Sequence, residues 1–214
     1  RNVRVSDCFG DSGDDAITLK STGARPCENV VITNCVVFST CNAIKLGTES
    51  NGGFKNISIS NCALGPLRSA EGFFGTKMLA GIALEIVDGG TLDRVAISNI
   101  SMTGVRVPIF LRLGNRARPI HEGAEKPGMG TFQNVTICNV VAEAVERIGC
   151  SITGLPGHPI RNVSLSGVRL LFPGGGTVEE AGRQVPEKPE AYPESTMFGV
   201  LPAYGFYCRH VDGL

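Results

Sequence analysis

The sequence has no tryptophan and only 6% aromatic residues, so a stacking platform built on indole rings is excluded. It has no excess of either charge: 20 Lys+Arg balance 20 Asp+Glu. That balance lacks the basic footprint of a nucleic-acid or anionic-membrane binder. No stretch approaches the roughly 18 consecutive apolar residues of a transmembrane helix. Its 8 cysteines and 3 histidines form no Cys-x-x-Cys and no histidine pair at ligand spacing, which argues against a structural zinc site. The 28 glycines follow no collagen period and, with 12 prolines, imply many turns. Apolar residues are plentiful at 42%, enough for a sizeable core and too many for a disordered chain.

A short unit recurs along the chain. Asn2-Val3-Arg4-Val5-Ser6-Asp7-Cys8 returns as Asn29-Val30-Val31-Ile32-Thr33-Asn34-Cys35 and as Asn56-Ile57-Ser58-Ile59-Ser60-Asn61-Cys62. Further copies begin at Arg94, Asn134 and Asn162; the successive intervals are 27, 27, 38, 40 and 28 residues. Each copy alternates apolar and polar residues with period 2, the pattern of a strand with one buried face. A second strand follows at the same offsets: Ala16-Ile17-Thr18-Leu19-Lys20, Ala43-Ile44-Lys45-Leu46-Gly47, Gly81-Ile82-Ala83-Leu84-Glu85 and Pro108-Ile109-Phe110-Leu111-Arg112. Looser copies lie at Cys150 to Thr153 and Phe206 to Arg209. Units this short cannot bury a face alone and must stack. The spacing of leucine-rich repeats is missing, so the predicted fold is all-β: a parallel β-helix of about six to seven coils, one domain over residues 1–214. Because the chain starts and stops at strand-like runs, it reads as an internal piece, truncated at the N-terminus and at the C-terminus.

Stacking turns this alignment into columns one strand spacing apart. Asn34, Asn61, Asn99 and Asn139 should form a turn column bonded through its amides. The sequons at Asn56, Asn99, Asn134 and Asn162 belong to this turn chemistry rather than to glycosylation. Cys8, Cys35 and Cys62 share one column, while Cys150 and Cys208 take the places of Ile17 and Leu19. Most of these thiols read as small core residues; Cys27 with Cys41 is the best disulfide candidate.

The outward positions of the second strand make two further columns: Thr18, Lys45, Ala83, Phe110, Ser151, Tyr207, and Lys20, Gly47, Glu85, Arg112, Arg209. Gly13-Asp14-Asp15 precedes them, with Asn42 stacked beside Asp15. Inserted segments at 63–80, 114–130 and 170–201 are expected to wall this mixed-charge face into a cleft for an extended polar ligand. Adjacent carboxylates repel, so one tends to keep its proton, as a general acid must. Glycoside hydrolysis uses such a pair. The same residues also compose an ordinary turn.

The repeats of form N-V-x-I-x-N-C, with Gly13-Asp14-Asp15-Ala16-Ile17-Thr18-Leu19-Lys20-Ser21, resemble the polygalacturonase family, glycoside hydrolase family 28. The likeness runs along nearly the whole chain and is strongest over Asn2 to Gly53. It implies a right-handed solenoid and an inverting, secreted or periplasmic glycosidase that needs no metal or cofactor. The enzyme would act on a polysaccharide or oligosaccharide as a monomer at full length. It implies Asp14 as general acid, with Asp15 helping to activate water; a third family aspartate would precede Arg1. The family's histidine is replaced by Asn42, its arginine by Ala83 and its lysine by Glu85. Placing Glu85 there repels a uronate carboxylate, and Lys45 and Arg112 are the cations positioned to compensate. The expected ligand-facing set is therefore Asn42, Lys45, Glu49, Glu85 and Arg112. A polysaccharide lyase and a non-catalytic carbohydrate-binding solenoid remain alternatives, and the piece alone is expected to be inactive and to associate.

Overall fold

The computed structural model describes residues 1–68 and 75–214. The first coil consists of β1 (Val3–Ser6), β2 (Phe9–Ser12) and β3 (Ile17–Ser21), and the second repeats it with β4 (Cys27–Thr33), β5 (Val36–Ser39) and β6 (Asn42–Ser50). Adjoining strands fuse in the following coils, giving β7 (Phe54–Pro66), β8 (Met78–Ile86) and β9 (Thr91–Leu113). The later coils hold β10 (Thr131–Ala144), β11 (Cys150–Thr153), β12 (Ile160–Leu171), β13 (Phe206–Arg209) and β14 (Val211–Asp212). These strands pair in parallel along three sides of a solenoid. The first side stacks as β1-β4-β7-β9-β10-β12-β14, seven members, so the expected parallel β-helix and its coil number both hold.

Register explains the core. Along the third side Ile17 opposes Ile44, Ile44 opposes Ile82, and Ile82 opposes Ile109. Leu19, Leu46, Leu84, Leu111, Ile152 and Cys208 form the parallel column two residues on. Inside the stack these side chains are fully covered; each contributes roughly 1.5–3 kcal/mol by burial. Cys150 continues the isoleucine column, as the spacing predicts. The proposed Cys27–Cys41 bridge does not form, and all eight cysteines are free thiols. Cys27 stacks on Phe54 in the first side, whereas Cys41 is buried at the entrance to the third, so their columns diverge.

Two ladders hold the corners. Asn34 donates through Nδ2 to Asp7, Asn61 to Asn34, Asn99 to Asn61 and Asn139 to Asn99, at 3.0 to 3.3 Å. Each has φ between 54° and 58°, the left-handed region that asparagine and aspartate tolerate best after glycine. A second ladder, not singled out in the sequence, joins Asn2, Asn29 and Asn56. Arg94 interrupts it, donating through Nε to Asn56 at 2.6 Å.

The three inserts are 67–77, 114–130 and 172–205 between the strands that flank them. The last carries a single helical turn, α1 (Val178–Ala181), closed by a Thr177–Glu180 capping box. It folds back over the outer face of the third side. Val185, Phe198 and Leu201 pack there on Ala80, Ala83, Val107 and Phe110, forming a second core outside the solenoid. Among the described residues no helix is long and apolar enough to cross a membrane.

Candidate active site

The Gly13-Asp14-Asp15 turn feeds β3 and is gripped by the coil stacked on it. Ser39 Oγ donates to the Asp14 carbonyl at 2.6 Å and Thr40 Oγ1 to the Gly13 carbonyl at 2.8 Å. Asp15 Oδ1 accepts from the backbone N–H of Asn42 (3.1 Å) and from its Nδ2 (2.7 Å), while Oδ2 lies 3.2 Å from Lys45 Nζ. Burial alone would raise the Asp15 carboxyl. The charge of Lys45 and hydrogen bonds from Cys41, Asn42 and Lys45 outweigh it and hold Asp15 below its ordinary value. Asp15 is therefore an ionised carboxylate. Asp14 is exposed, and its Oδ1 accepts the Asp15 N–H at 2.8 Å.

Lys45 is almost fully buried between two acids, with Glu85 Oε2 at 3.9 Å on its other side. Burial works against its charge, but Glu85 and Asp15 together raise it well above the ordinary lysine value. Glu85 has no exposure, and neither of its oxygens finds a hydrogen-bond partner among the described residues. Burial pushes it up to about 8. The shorter Lys45–Asp15 contact decides how the charges are shared: Lys45 and Asp15 form the ion pair, and Glu85 is the neutral member near pH 7.

A pocket of about 370 Å³ opens over this cluster. It is lined by Asp14, Asp15, Lys20, Cys41 and Lys45 of the solenoid and by Tyr192 and Glu194 of the 172–205 excursion. The Tyr192 hydroxyl accepts from Thr48 at 3.0 Å. Lys45 Nζ lies 5.8 Å and the Arg116 guanidinium 5.5 Å from the centre of its ring, both within cation–π range. Arg116 is itself clamped by the buried Asp88 carboxylate through Nε (2.9 Å) and Nη2. Glu194 Oε1 accepts the Ser195 N–H at 2.8 Å. Burial raises the Glu194 carboxyl, and the negative Asp15 adds to the rise.

The residues singled out in the sequence take different places. Asp14, Asp15 and Lys45 line the pocket; Asn42 braces Asp15 from a fully buried position. Glu49 sits at the rim, paired with Lys20 at 2.6 Å and Arg118 at 3.6 Å. Glu85 lies beneath the floor. Arg112 is buried under the excursion, where Nη2 donates to the carbonyls of Glu187 (2.7 Å) and Lys188 (3.0 Å) and Nη1 to Thr153 Oγ1 (3.2 Å). The mixed-charge face, expected to be walled into a cleft, is thus mostly roofed. Tyr192 and Glu194 carry no repeat signal, and the pocket they complete was not visible in the spacing; Tyr204 packs on Phe172.

Asp14, Asp15 and Cys41 bring donor atoms within 4.8 Å of one another. This is a weak cation site. Burial and the adjacent Asp15 keep the Cys41 thiol far above its ordinary value, whereas metal binding needs the thiolate. Lys45 already neutralises Asp15.

No family model matches the chain. A probable polygalacturonase from Vitis vinifera is 23% identical over 179 residues, an alignment that covers 79% of this chain. The chain spans about a third of that protein's length, 34%. Across most of its residues, then, this chain is distantly similar to a probable polygalacturonase.

Proposed function

We propose that this protein is an extracellular glycoside hydrolase that cleaves, with inversion, a pectin-like or related plant cell-wall polysaccharide. One observation carries the reading. Asp15 is held ionised by Lys45 and Asn42 at the floor of a pocket that also presents Asp14. An ionised carboxylate beside a bound sugar accepts the proton of an attacking water, and a second carboxyl group protonates the leaving oxygen. Family resemblance gives that second role to Asp14. Lys45 acts in this reading as the fixed countercharge of Asp15, and Tyr192 as an apolar wall against the sugar ring.

The test is reducing-end release by the natural-length protein from polygalacturonate and from a panel of neutral and rhamnose-containing polysaccharides. Asp15→Asn removes the negative charge and should lower the rate by about 10²–10⁴-fold; it also leaves the buried Lys45 unpaired and should lower the melting temperature, so rates are compared at a temperature where circular dichroism shows both proteins folded. An Asp15→Asn variant with wild-type rate would refute the reading. Binding without turnover in the wild type would move it to a carbohydrate-binding solenoid, and an unsaturated product made only with calcium would move it to a lyase.

A further inference from the structure

This proposal rests on the glycosidase reading and concerns the charge of the sugar whose bond is cleaved. A sugar that carries a carboxylate needs a cation free to meet it, best of all a guanidinium that bonds it through two N–H groups. Lys45 and Arg112 are the cations that the sequence positions for that work, and the structure commits both elsewhere. Lys45 is buried between Asp15 Oδ2 at 3.2 Å and Glu85 Oε2 at 3.9 Å. Arg112 is buried too, and its guanidinium donates to the carbonyls of Glu187 and Lys188 and to Thr153 Oγ1.

The cations near the rim are taken as well. Lys20 Nζ lies 2.6 Å from Glu49 Oε2, Arg118 shares the other oxygen of Glu49, and Asp88 clamps Arg116. Carboxyl groups outnumber lysines in the lining, with Asp14, Asp15 and Glu194 against Lys20 and Lys45. Asp15 is matched by Lys45, whereas Asp14 and Glu194 are in no ion pair among the described residues. Residues 69–74, which lie outside the described residues, contain no lysine, arginine or histidine.

We propose that the glycosyl unit held over Asp15 for cleavage is uncharged, bound through its hydroxyls by Asp14 and Glu194 and turned with an apolar ring face toward Tyr192. Each of those two acids has one oxygen bonded to a backbone N–H at 2.8 Å and the other without a partner among the described residues. A sugar hydroxyl donates well to such an oxygen. A uronate carboxylate has only acceptors to present and meets the same oxygens with like charge. Drawing Lys45 away to receive it would leave Asp15 and Glu85 without their countercharge in a buried setting. Discrimination here comes from repulsion as much as from contact.

Polygalacturonate and the galactan made by reducing its carboxyl groups to hydroxymethyl groups share linkage and ring stereochemistry and differ in charge. The natural-length wild-type protein is assayed for kcat/KM on both and on the neutral and rhamnose-containing panel, and the sugar at each new reducing end is identified after borohydride reduction. The reduced polymer should be preferred by about 10²–10³-fold, the effect of a charge left unpaired in a partly closed site. Where the pocket takes another sugar configuration, release should come from a neutral polysaccharide or a neutral unit of a mixed one, with a neutral sugar at the new reducing end. A polygalacturonate kcat/KM within about tenfold of the reduced polymer's, or above it, overturns the proposal with the glycosidase reading intact, as does a uronate at the new reducing ends. No release from any polymer removes the reading and the proposal together.

Discussion

Glu85 is the charged-type residue of the site with no route to water and no hydrogen-bond partner among the described residues. That isolation makes its proton a stability term. Its carboxyl moves from 4.5 to about 8 on folding, chiefly through burial. Below about pH 4.5 folded and unfolded chains both hold the proton, and the contribution is full. Between there and about pH 8 the unfolded chain releases it while the folded chain keeps it, so stability falls as pH rises, by at most about 1.4 kcal/mol per unit. Asp15, with its lowered value, acts in the opposite sense and only in more acid solution. Glu85→Gln should flatten the decline, read as the urea midpoint followed from about pH 5 to 8. The neighbourhood of Lys45 and Glu85 was legible in the sequence, because both sit on the outward columns of the third side. Their burial was not, since it depends on a roof with no repeat of its own.

At the scale of elements, the corner ladders and the excursion are stabilised differently. Asn61 both spans two coils through its amide and holds φ at 56°. Asn61→Ala should cost about 1–2 kcal/mol from the left-handed backbone, plus about 1 kcal/mol for the lost ladder bonds. Asn61→Gly relieves the first cost, so chemical denaturation should rank wild type, glycine, alanine. The ladders also account for the asparagines of the sequons: the side-chain nitrogens of Asn56, Asn99, Asn134 and Asn162 donate within the stack. The excursion hangs instead on Arg112, whose guanidinium lies 5.5 Å from the Phe198 ring and bonds the carbonyls of Glu187 and Lys188. Arg112→Ala leaves those acceptors unpaired at roughly 1–3 kcal/mol each. Hydrogen exchange should then quicken across 183–201 while the strands of the first side stay protected. Equal quickening in both would show that Arg112 supports the solenoid as a whole.

For the whole molecule, the columns followed from the 27-residue repeat, with the 38-residue interval being the same coil plus an insert; stacked coils repeat their contacts, and Ile17, Ile44 and Ile82 meet for that reason. Val185, Phe198 and Leu201 have no counterpart one coil away, so the second core they build could not be read from periodicity. In the 214-residue chain the first coil leaves Val3 and Phe9 exposed at 44% and 67%, and Ile17 and Leu19 only partly covered. Free parallel edges and apolar side chains at a solenoid end favour pairing with another chain. Sedimentation of the 214-residue chain should show concentration-dependent association, which a charged residue in place of Phe9 should weaken; a monomer at every concentration would contradict this.

Thr48 and Tyr192 touch across 144 residues of sequence, so the pocket joins an early turn to a late loop. A ribosome adding about 5–20 residues per second takes roughly 7–30 s to make that interval. During that time the aspartate turn exists without the excursion residues that line the pocket with it. The pocket is thus a late feature of the growing chain, closed only once the 172–205 excursion has been made.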